Sequence, residues 1–182
     1  MSRLKPPVSE QDHIKGNLEM PVILVEYGDF QCPHCGAAYP MLKQIEKIYA
    51  GRMAFVYRHF PLAEIHPFAQ AAAVAAEAAG RQGKFWEMHA RIFENQDKLG
   101  LEMLLELAEH LKLDMNAFAH DFKDPKLFEK VEAHFESGII SGVNGTPSFY
   151  INEVKFNDNY DLQSLSRAIE KSLSEYAVKH HS

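Results

Sequence analysis

The sequence predicts an α/β fold in which a central mixed β-sheet is flanked by helices and is interrupted by an all-helical insertion. Two apolar segments of strand length, 20–27 and 52–60, enclose a helical pattern, as in a β–α–β unit. The pattern of 61–140 is almost purely helical, and strand character returns at 143–158. The expected domains are an N-terminal arm at 1–18, a sheet-containing domain at 19–60 and 141–178, and an inserted helical subdomain at 61–140.

Residues 20–27 are predicted to form a central strand, because the run is continuously apolar rather than alternating. A helical pattern follows at 33–49, and Pro40 is expected to remove one backbone hydrogen bond and bend that helix. Residues 52–60 have the character of a second strand of the same sheet. The polar N-terminal arm is expected to be extended, with a short edge strand near 13–15.

Five helices are predicted in the insertion. They span 66–80, 84–95, 101–111, 114–122 and a segment that begins at residue 125. Asp114 and Asp124 have the positions of N-caps, and Pro125 suits a first helical turn. Helical periodicity predicts one apolar face formed by Leu101, Leu104, Leu105, Ala108 and Leu111, and another formed by Phe128, Val131 and Phe135.

The C-terminal segment is predicted to return to the sheet. Apolar residues flank Asn152 and Glu153, a pattern typical of a β-hairpin with a tight two-residue turn. Asp161 is expected to cap a last helix, whose apolar face covers the sheet.

The composition is that of a globular protein large enough to bury a core. The chain has 182 residues, of which 46% are hydrophobic and 24% charged, and its formal net charge is −6. An acidic surface does not attract nucleic acid or an anionic membrane, and no apolar run approaches the ~20 residues that cross a bilayer. We therefore expect neither nucleic acid nor membrane among the partners.

Both cysteines of the chain, Cys32 and Cys35, lie at the predicted strand-to-helix turn, separated by two residues. The thiolate is the attacking species in disulfide exchange, and the N-terminus of a helix stabilises it. Pro33 suits the first helical position, and His34 can add a donor or a positive charge. We expect Cys32 to attack and Cys35 to resolve the mixed disulfide, without a cofactor and with protein thiols or disulfides as partners.

Cys-x-x-Cys is also a spacing of metal ligands, so the pair could form half of a zinc site. Such a site needs four ligands, and the chain has no second cysteine pair. His34, His59 and His66 could complete it only by chance of folding, and we expect no metal. The alternative function is a redox-inert or zinc-binding module, for example a chaperone-like scaffold. His59 and His66 are otherwise expected to be structural or surface residues.

At these residues the chain resembles the thioredoxin superfamily, and its Cys-Pro-His-Cys at 32–35 is similar to that of DsbA-like thiol–disulfide oxidoreductases. Glu26 has the place of the buried acid that this superfamily keeps beneath the disulfide. Pro40 resembles the proline that kinks the active-site helix. The segment 145–149, Gly-Thr-Pro-Ser-Phe, resembles the one whose cis-proline faces the cysteine pair.

The resemblance implies a thioredoxin fold with an inserted helical subdomain, together with further site residues. Glu26 would be a partly buried base with a raised pKa that takes the proton of Cys35 during resolution; the alternative is a solvated acid at the end of a strand. A cis bond between Thr146 and Pro147 would leave the Thr146 backbone able to pair with a bound substrate strand. The family also implies a redox partner that recycles the cysteine pair.

The N-terminus contains no apolar segment of a secretory leader, so a cytoplasmic location is expected for the sequence as written, and a periplasmic one if a leader was removed. The tetrapeptide resembles that of the oxidant DsbA, near −120 mV, whereas cytosolic glutathione lies at about −220 to −260 mV. A cytoplasmic protein would act as a reductase or isomerase. The sequence leaves both directions of electron flow open.

Overall fold

The computed structural model describes residues 1–181, and in that range it contains five strands, seven α-helices and a short 3₁₀-helix at Gln96–Lys98. The strands are β1 (His13–Lys15), β2 (Val22–Gly28), β3 (Met53–His59), β4 (Ser148–Ile151) and β5 (Val154–Phe156). The helices are α1 (Pro33–Ile48), α2 (Ala69–Gly80), α3 (Phe85–Glu94), α4 (Leu101–His110), α5 (Met115–Phe122), α6 (Pro125–Ser141) and α7 (Leu162–His180). This element order confirms the predicted α/β fold.

The five strands form one sheet in the order β1-β3-β2-β4-β5. β1 is antiparallel to β3, β4 to β2, and β5 to β4. β2 and β3 are joined through α1, the kind of helical crossover that parallel neighbours require. Every residue of β3 is buried, because the strand lies inside the sheet and is covered on both faces.

The predicted hairpin is confirmed, and its turn has the geometry that its sequence favours. Asn152 and Glu153 connect β4 to β5 with φ of 46° and 71°. Two consecutive residues with positive φ match the right-handed twist of the flanking strands. The Asn152 side chain also accepts a hydrogen bond from the Ile23 amide at 2.8 Å, which fixes the turn to the start of β2.

The chain divides into two compact units. One, the sheet unit, contains 1–27, 37–58 and the residues from 137 onward. The other, the helical unit, contains 28–36 and 59–136. The predicted insertion at 61–140 largely coincides with the second of these segments. The cysteine-bearing loop also belongs to the helical unit.

In the sheet unit, the N-terminal arm is anchored by a buried ion pair. Arg58 donates from Nε and Nη2 to the two carboxylate oxygens of Asp12, at 2.8 and 3.0 Å. The Arg58 guanidinium also donates to the carbonyl oxygens of Pro6 and Pro7. A bidentate geometry with further acceptors compensates the desolvation of the two charges. The arm is thereby fixed to β3.

In the helical unit, the predicted caps are confirmed. Asp114 Oδ1 accepts from the Ala117 amide at 3.0 Å and starts α5. Asp124 Oδ1 accepts from the Lys126 amide at 3.0 Å beside the first turn of α6. Both carboxylates satisfy amides that the helix itself leaves unbonded.

Two of the predicted apolar faces are partly wrong. Leu101 and Leu105 of α4 are 53% and 47% exposed, and Phe128 of α6 is 47% exposed. The buried residues of α4 are Met103, Leu104, Leu107 and Ala108. The apolar stripe on α4 is wider than the strip that its neighbours α2 and α3 cover, so its outer edge stays in solvent.

Within the described residues, no helix combines the length and hydropathy of a transmembrane span.

Candidate active site

The cysteine pair lies where the prediction places it, between the end of β2 and the start of α1. Cys32 directly precedes α1, and its carbonyl accepts the first helical hydrogen bond from the Gly36 amide at 3.1 Å. Cys35 is in the first turn. The two cysteines are 4% and 0% exposed, whereas Pro33 and His34 are exposed.

This position favours a thiolate on Cys32. The first N–H groups of α1 point toward the helix start, and the helix dipole places partial positive charge there. Both effects stabilise an anion more than a neutral thiol, which lowers the pKa of a cysteine at such a site. Cys35 is placed differently, because its Sγ accepts a hydrogen bond from the Asp29 amide at 3.5 Å, within the interior of the unit.

Asp29 shapes the loop that carries Cys32. Its Oδ1 accepts from the Gln31 amide at 2.7 Å and from the Cys32 amide at 3.2 Å. This is an Asx turn, in which a side-chain carboxylate replaces a backbone acceptor. The sequence analysis does not include Asp29 among the site residues. An aspartate that precedes Gln31 by two residues and Cys32 by three is nevertheless a local signal for such a turn.

Gln96 holds the same loop from a distant part of the chain. Its Nε2 donates to the carbonyl oxygens of Phe30 and Cys32, both at 2.8 Å. A side chain at position 36 would collide with the Gln96 carboxamide, so glycine is what allows this approach. Gln31 makes a similar link, because its Oε1 accepts from the Phe68 amide at 2.7 Å. No local sequence pattern indicates these long-range contacts.

A second polar cluster lies inside the helical unit. The His59 and Glu77 side chains are hydrogen-bonded at 2.9 Å, and Lys130 Nζ lies 3.0 Å from the other Glu77 oxygen. His134 Nδ1 accepts from the His59 amide at 3.2 Å. The donor atoms of His59, Glu77 and His134 lie within 4.8 Å of one another. The Lys130 ammonium offsets the charge of the Glu77 carboxylate, so the cluster contains an ion pair, and its three donor atoms are also close enough together to hold a metal ion.

The remaining predicted site residues belong to the sheet unit. Glu26 is 1% exposed in β2 and lies opposite Phe149 of β4 in the sheet register. The Thr146–Pro147 peptide bond is cis, and Pro147 directly precedes β4. Glu26 is therefore not a solvated acid. It lies on β2, which pairs with β4, the strand that follows Pro147. The chemical roles of Glu26, Thr146 and Pro147 stay predictions.

The family of the chain follows from its sequence over nearly the whole length. A family model described as thioredoxin matches residues 8–171. The chain belongs to the thioredoxin family.

Curated relatives of this thioredoxin-family chain are much longer than the chain itself. It is 40% identical over 164 residues to a protein named Na(+)/H(+) antiporter NhaA 1 of Salinispora arenicola, covering 90% of the chain and 25% of the antiporter. It is 35% identical over 170 residues to Na(+)/H(+) antiporter NhaA of Herminiimonas arsenicoxydans, covering 93% and 27%. The chain spans about a quarter of the length of these relatives.

Solved structures show the same fold at low sequence identity. Wolbachia pipientis α-DsbA1 superposes with a TM-score of 0.83 at 24% identity, covering 95% of the chain and 96% of α-DsbA1. Bacillus subtilis BdbD in its oxidised form gives 0.81 at 23% identity, covering 95% and 98%. Wolbachia pipientis α-DsbA2, described as a thiol–disulfide exchange protein, gives 0.78 at 23% identity, covering 89% and 87%. The thioredoxin fold with a helical insertion is thus confirmed.

Proposed function

We propose that this chain is a thiol–disulfide oxidoreductase that exchanges the Cys32–Cys35 dithiol and disulfide with protein thiols. The observation that carries the proposal is the placement of Cys32 at the N-terminus of α1, with Cys35 in the first turn, in a thioredoxin-family chain. Such a site stabilises one thiolate and keeps a second sulfur within reach of it.

In the reductive direction, the Cys32 thiolate attacks one sulfur of a substrate disulfide. The substrate S–S bond breaks, a mixed disulfide forms, and the departing substrate thiolate takes up a proton. Cys35 then loses its proton and attacks Cys32 Sγ, which releases the second substrate thiolate. The substrate gains two electrons and two protons, and the Cys32–Cys35 pair becomes a disulfide. The oxidative direction is the reverse of these steps.

The other predicted residues have auxiliary roles in this proposal. His34 adds a donor or positive charge beside Cys32, and Pro33 starts the helix. Glu26 accepts the proton of Cys35. The Thr146 backbone, beside the cis bond to Pro147, pairs with a bound substrate segment. An unidentified redox partner restores the cysteine pair after each turnover.

Of the similar proteins, some have names that support thiol–disulfide exchange and others have names that do not. The α-DsbA2 protein is described as acting in thiol–disulfide exchange. The NhaA relatives are named as Na(+)/H(+) antiporters, and the chain spans about a quarter of their length. Because the thioredoxin family model accounts for 8–171, we propose the redox chemistry and not ion transport for this chain.

The direction of electron flow depends on the reduction potential and the compartment. A couple near −120 mV would donate its disulfide, and one near −250 mV would act as a reductant. A gap of about 140 mV to cytosolic glutathione corresponds to roughly 6.5 kcal/mol, so a strongly oxidising couple would stay reduced in the cytosol. Equilibration in glutathione buffers measures the potential. The cytoplasmic location stays a prediction.

Substitution of each cysteine tests the proposed roles. Cys32→Ser should abolish reduction of insulin disulfides and exchange with glutathione, because the attacking sulfur is lost. Cys35→Ser should instead accumulate mixed disulfides, because nothing resolves them; non-reducing electrophoresis and mass spectrometry detect these species. Turnover that persists in the Cys32→Ser protein would contradict the assignment.

The alternative of a redox-inert or zinc-binding module predicts different results from the same protein. It expects stoichiometric zinc in elemental analysis and no disulfide between Cys32 and Cys35 after treatment with oxidised glutathione. The proposed oxidoreductase expects a disulfide in nearly all molecules under the same treatment, and exchange that a chelator does not change.

A further inference from the structure

Asp29 is a buried carboxylate on the loop that carries the cysteine pair. Its side chain is 0% exposed. Oδ1 accepts from the amide of Cys32, and Oδ2 accepts from the Leu62 amide at 2.9 Å and lies 2.7 Å from His66 Nδ1. The Asp29 backbone N–H meanwhile donates to Cys35 Sγ. The residue thus contacts both cysteines and is bonded to the loop that follows β3.

An anion at this place conflicts with the proposed chemistry. The Asp29 carboxylate accepts three backbone hydrogen bonds, from the amides of Gln31, Cys32 and Leu62. Its negative charge is hydrogen-bonded to the backbone amide of Cys32, the residue whose sulfur must itself become negative, and like charges oppose each other's ionisation. The N-terminus of α1 by itself favours ionisation of Cys32. A negative charge on Asp29 without a compensating positive charge would cancel part of this stabilisation of the thiolate.

His66 is placed to remove this conflict. Its Nδ1 lies 2.7 Å from Asp29 Oδ2, and its side chain is 16% exposed, so the ring connects the buried carboxylate with solvent. A protonated imidazole makes the pair neutral as a whole. A neutral imidazole that donates from Nδ1 keeps the geometry but leaves the negative charge. Among the described residues, the titratable side chain that is hydrogen-bonded to the Asp29 carboxylate is that of His66. Cys32 meets the carboxylate through its backbone amide, and Cys35 Sγ meets the Asp29 backbone amide.

We propose that Asp29 and His66 form a positioning couple, in which Asp29 orients the Cys32 loop and His66 compensates its charge so that the Cys32 thiolate can form. The couple does not touch substrate and acts through Cys32. This inference rests on the proposed redox function of the cysteine pair, and it adds two residues for which the sequence indicates no such role.

Three variants test the couple: His66→Gln, Asp29→Asn, and the double variant. The readout is the Cys32 thiolate absorbance at 240 nm followed against pH, in a Cys35→Ala background so that one thiol titrates. His66→Gln keeps a hydrogen-bond donor without a charge, so the pKa of Cys32 should rise by about one unit. His120→Gln is the matched control, because His120 also lies beside an aspartate, Asp121, but is 81% exposed; it should leave the titration unchanged.

The double variant separates charge compensation from a merely structural role. If His66 acts by neutralising Asp29, then His66→Gln with Asp29→Asn should return the Cys32 titration at least to the wild-type value, because the anion is gone. If both residues only hold the loop, the double variant should be at least as perturbed as the worse single variant. That second result would overturn the proposal, as would a wild-type titration curve for His66→Gln.

A measurement on the unsubstituted protein covers the case in which the variants fail to fold. Coupling between two ionising groups is reciprocal. The His66 imidazole NMR resonances, followed against pH, should therefore have a higher midpoint in the dithiol form than in the disulfide form, which carries no thiolate. Equal midpoints would overturn the couple. The Cys32 titration needs no disulfide exchange, so a protein that fails to exchange disulfides would refute the proposed function and still yield an answer on His66 from the variants.

Discussion

A single methyl group added at Gly36 would disturb the packing of the cysteine loop. Gly36 lies in the first turn of α1, where Gln96 approaches closely enough to bond the Phe30 and Cys32 carbonyls. In an open helix, alanine is more favourable than glycine by up to about 1 kcal/mol. Here the added methyl group would displace the Gln96 carboxamide and break both hydrogen bonds.

We therefore predict that Gly36→Ala destabilises the protein by about 1–3 kcal/mol, the cost of overpacking, measured by urea unfolding. In a Gln96→Ala background the same substitution should become stabilising, because the obstruction is absent. Gly100→Ala is the control, since a methyl group there meets nothing within 4 Å and its φ of −175° is extended. A stabilising Gly36→Ala in the otherwise unsubstituted protein would contradict the described packing.

Tyr150 gives the stability of the sheet unit a defined pH dependence. Its side chain is fully buried, and its hydroxyl donates to the Ser141 carbonyl at 2.6 Å. Burial, with a smaller contribution from the neighbouring Tyr27, raises the pKa of Tyr150 to about 12. The folded protein keeps a proton that the unfolded chain releases near pH 10. This contribution to stability is therefore complete below pH 10 and is lost as the pH rises toward 12.

The expected loss in unfolding free energy between pH 10 and 12 is roughly 2–3 kcal/mol, as follows from about two units of pKa difference. Tyr150→Phe should lower stability at pH 8 by about 1 kcal/mol through the lost hydrogen bond, and should flatten the curve above pH 10. Urea unfolding at successive pH values measures both effects. Tyr176→Phe, at a residue 36% exposed, should keep the wild-type slope; an equally steep curve for Tyr150→Phe would refute the assignment.

Among the elements, α2 depends most on small side chains. Six of its alanines are fully buried: Ala72, Ala73, Ala75, Ala76, Ala78 and Ala79. Their small size lets α3, α4 and α5 approach the helix closely. A core at crystal-like density does not accommodate three additional carbons without displacement of its neighbours.

Ala75→Leu should destabilise the helical unit by about 1–3 kcal/mol, whereas Ala71→Leu should be nearly neutral. The two substitutions change the same helix by the same atoms, and leucine is a good helix former, so their difference isolates packing. Ala71 lies on an open groove beside Pro67 and Phe128. Thermal unfolding compares the pair, and equal melting temperatures would show that α2 is not closely packed.

Local signals explain what the sequence could predict at this scale. Caps such as Asp114 and the Asn152–Glu153 turn act within four residues, so their elements were predicted correctly. Burial depends on which neighbours arrive from elsewhere, and periodicity alone did not show that Leu105 and Phe128 stay exposed. The same holds at the site: Cys32 and Cys35 were evident from spacing, while Gln96 and His66 reach the loop only through the fold.

At the scale of the whole molecule, folding and redox chemistry form one thermodynamic cycle. The dithiol and disulfide forms differ in unfolding free energy. This difference, divided by 2F, equals the change in the reduction potential of the cysteine pair on folding. A thiolate on Cys32 is stabilised by the N-terminus of α1 only in the dithiol form, because the disulfide carries no charge. We therefore expect the folded structure to favour the dithiol.

We predict that the dithiol form unfolds at a higher urea concentration than the disulfide form at pH 7. Each unit by which the pKa of Cys32 lies below 7 adds about 1.4 kcal/mol to that difference at pH 7, equivalent to about 30 mV. Cys35→Ser is the control, because oxidant and reductant should then leave stability unchanged once mixed disulfides are removed. The urea difference and the potential measured in glutathione buffers must agree through the cycle. A disulfide form that is the more stable of the two would mean that the cysteine pair is a reductant and that the helix start does not dominate its chemistry.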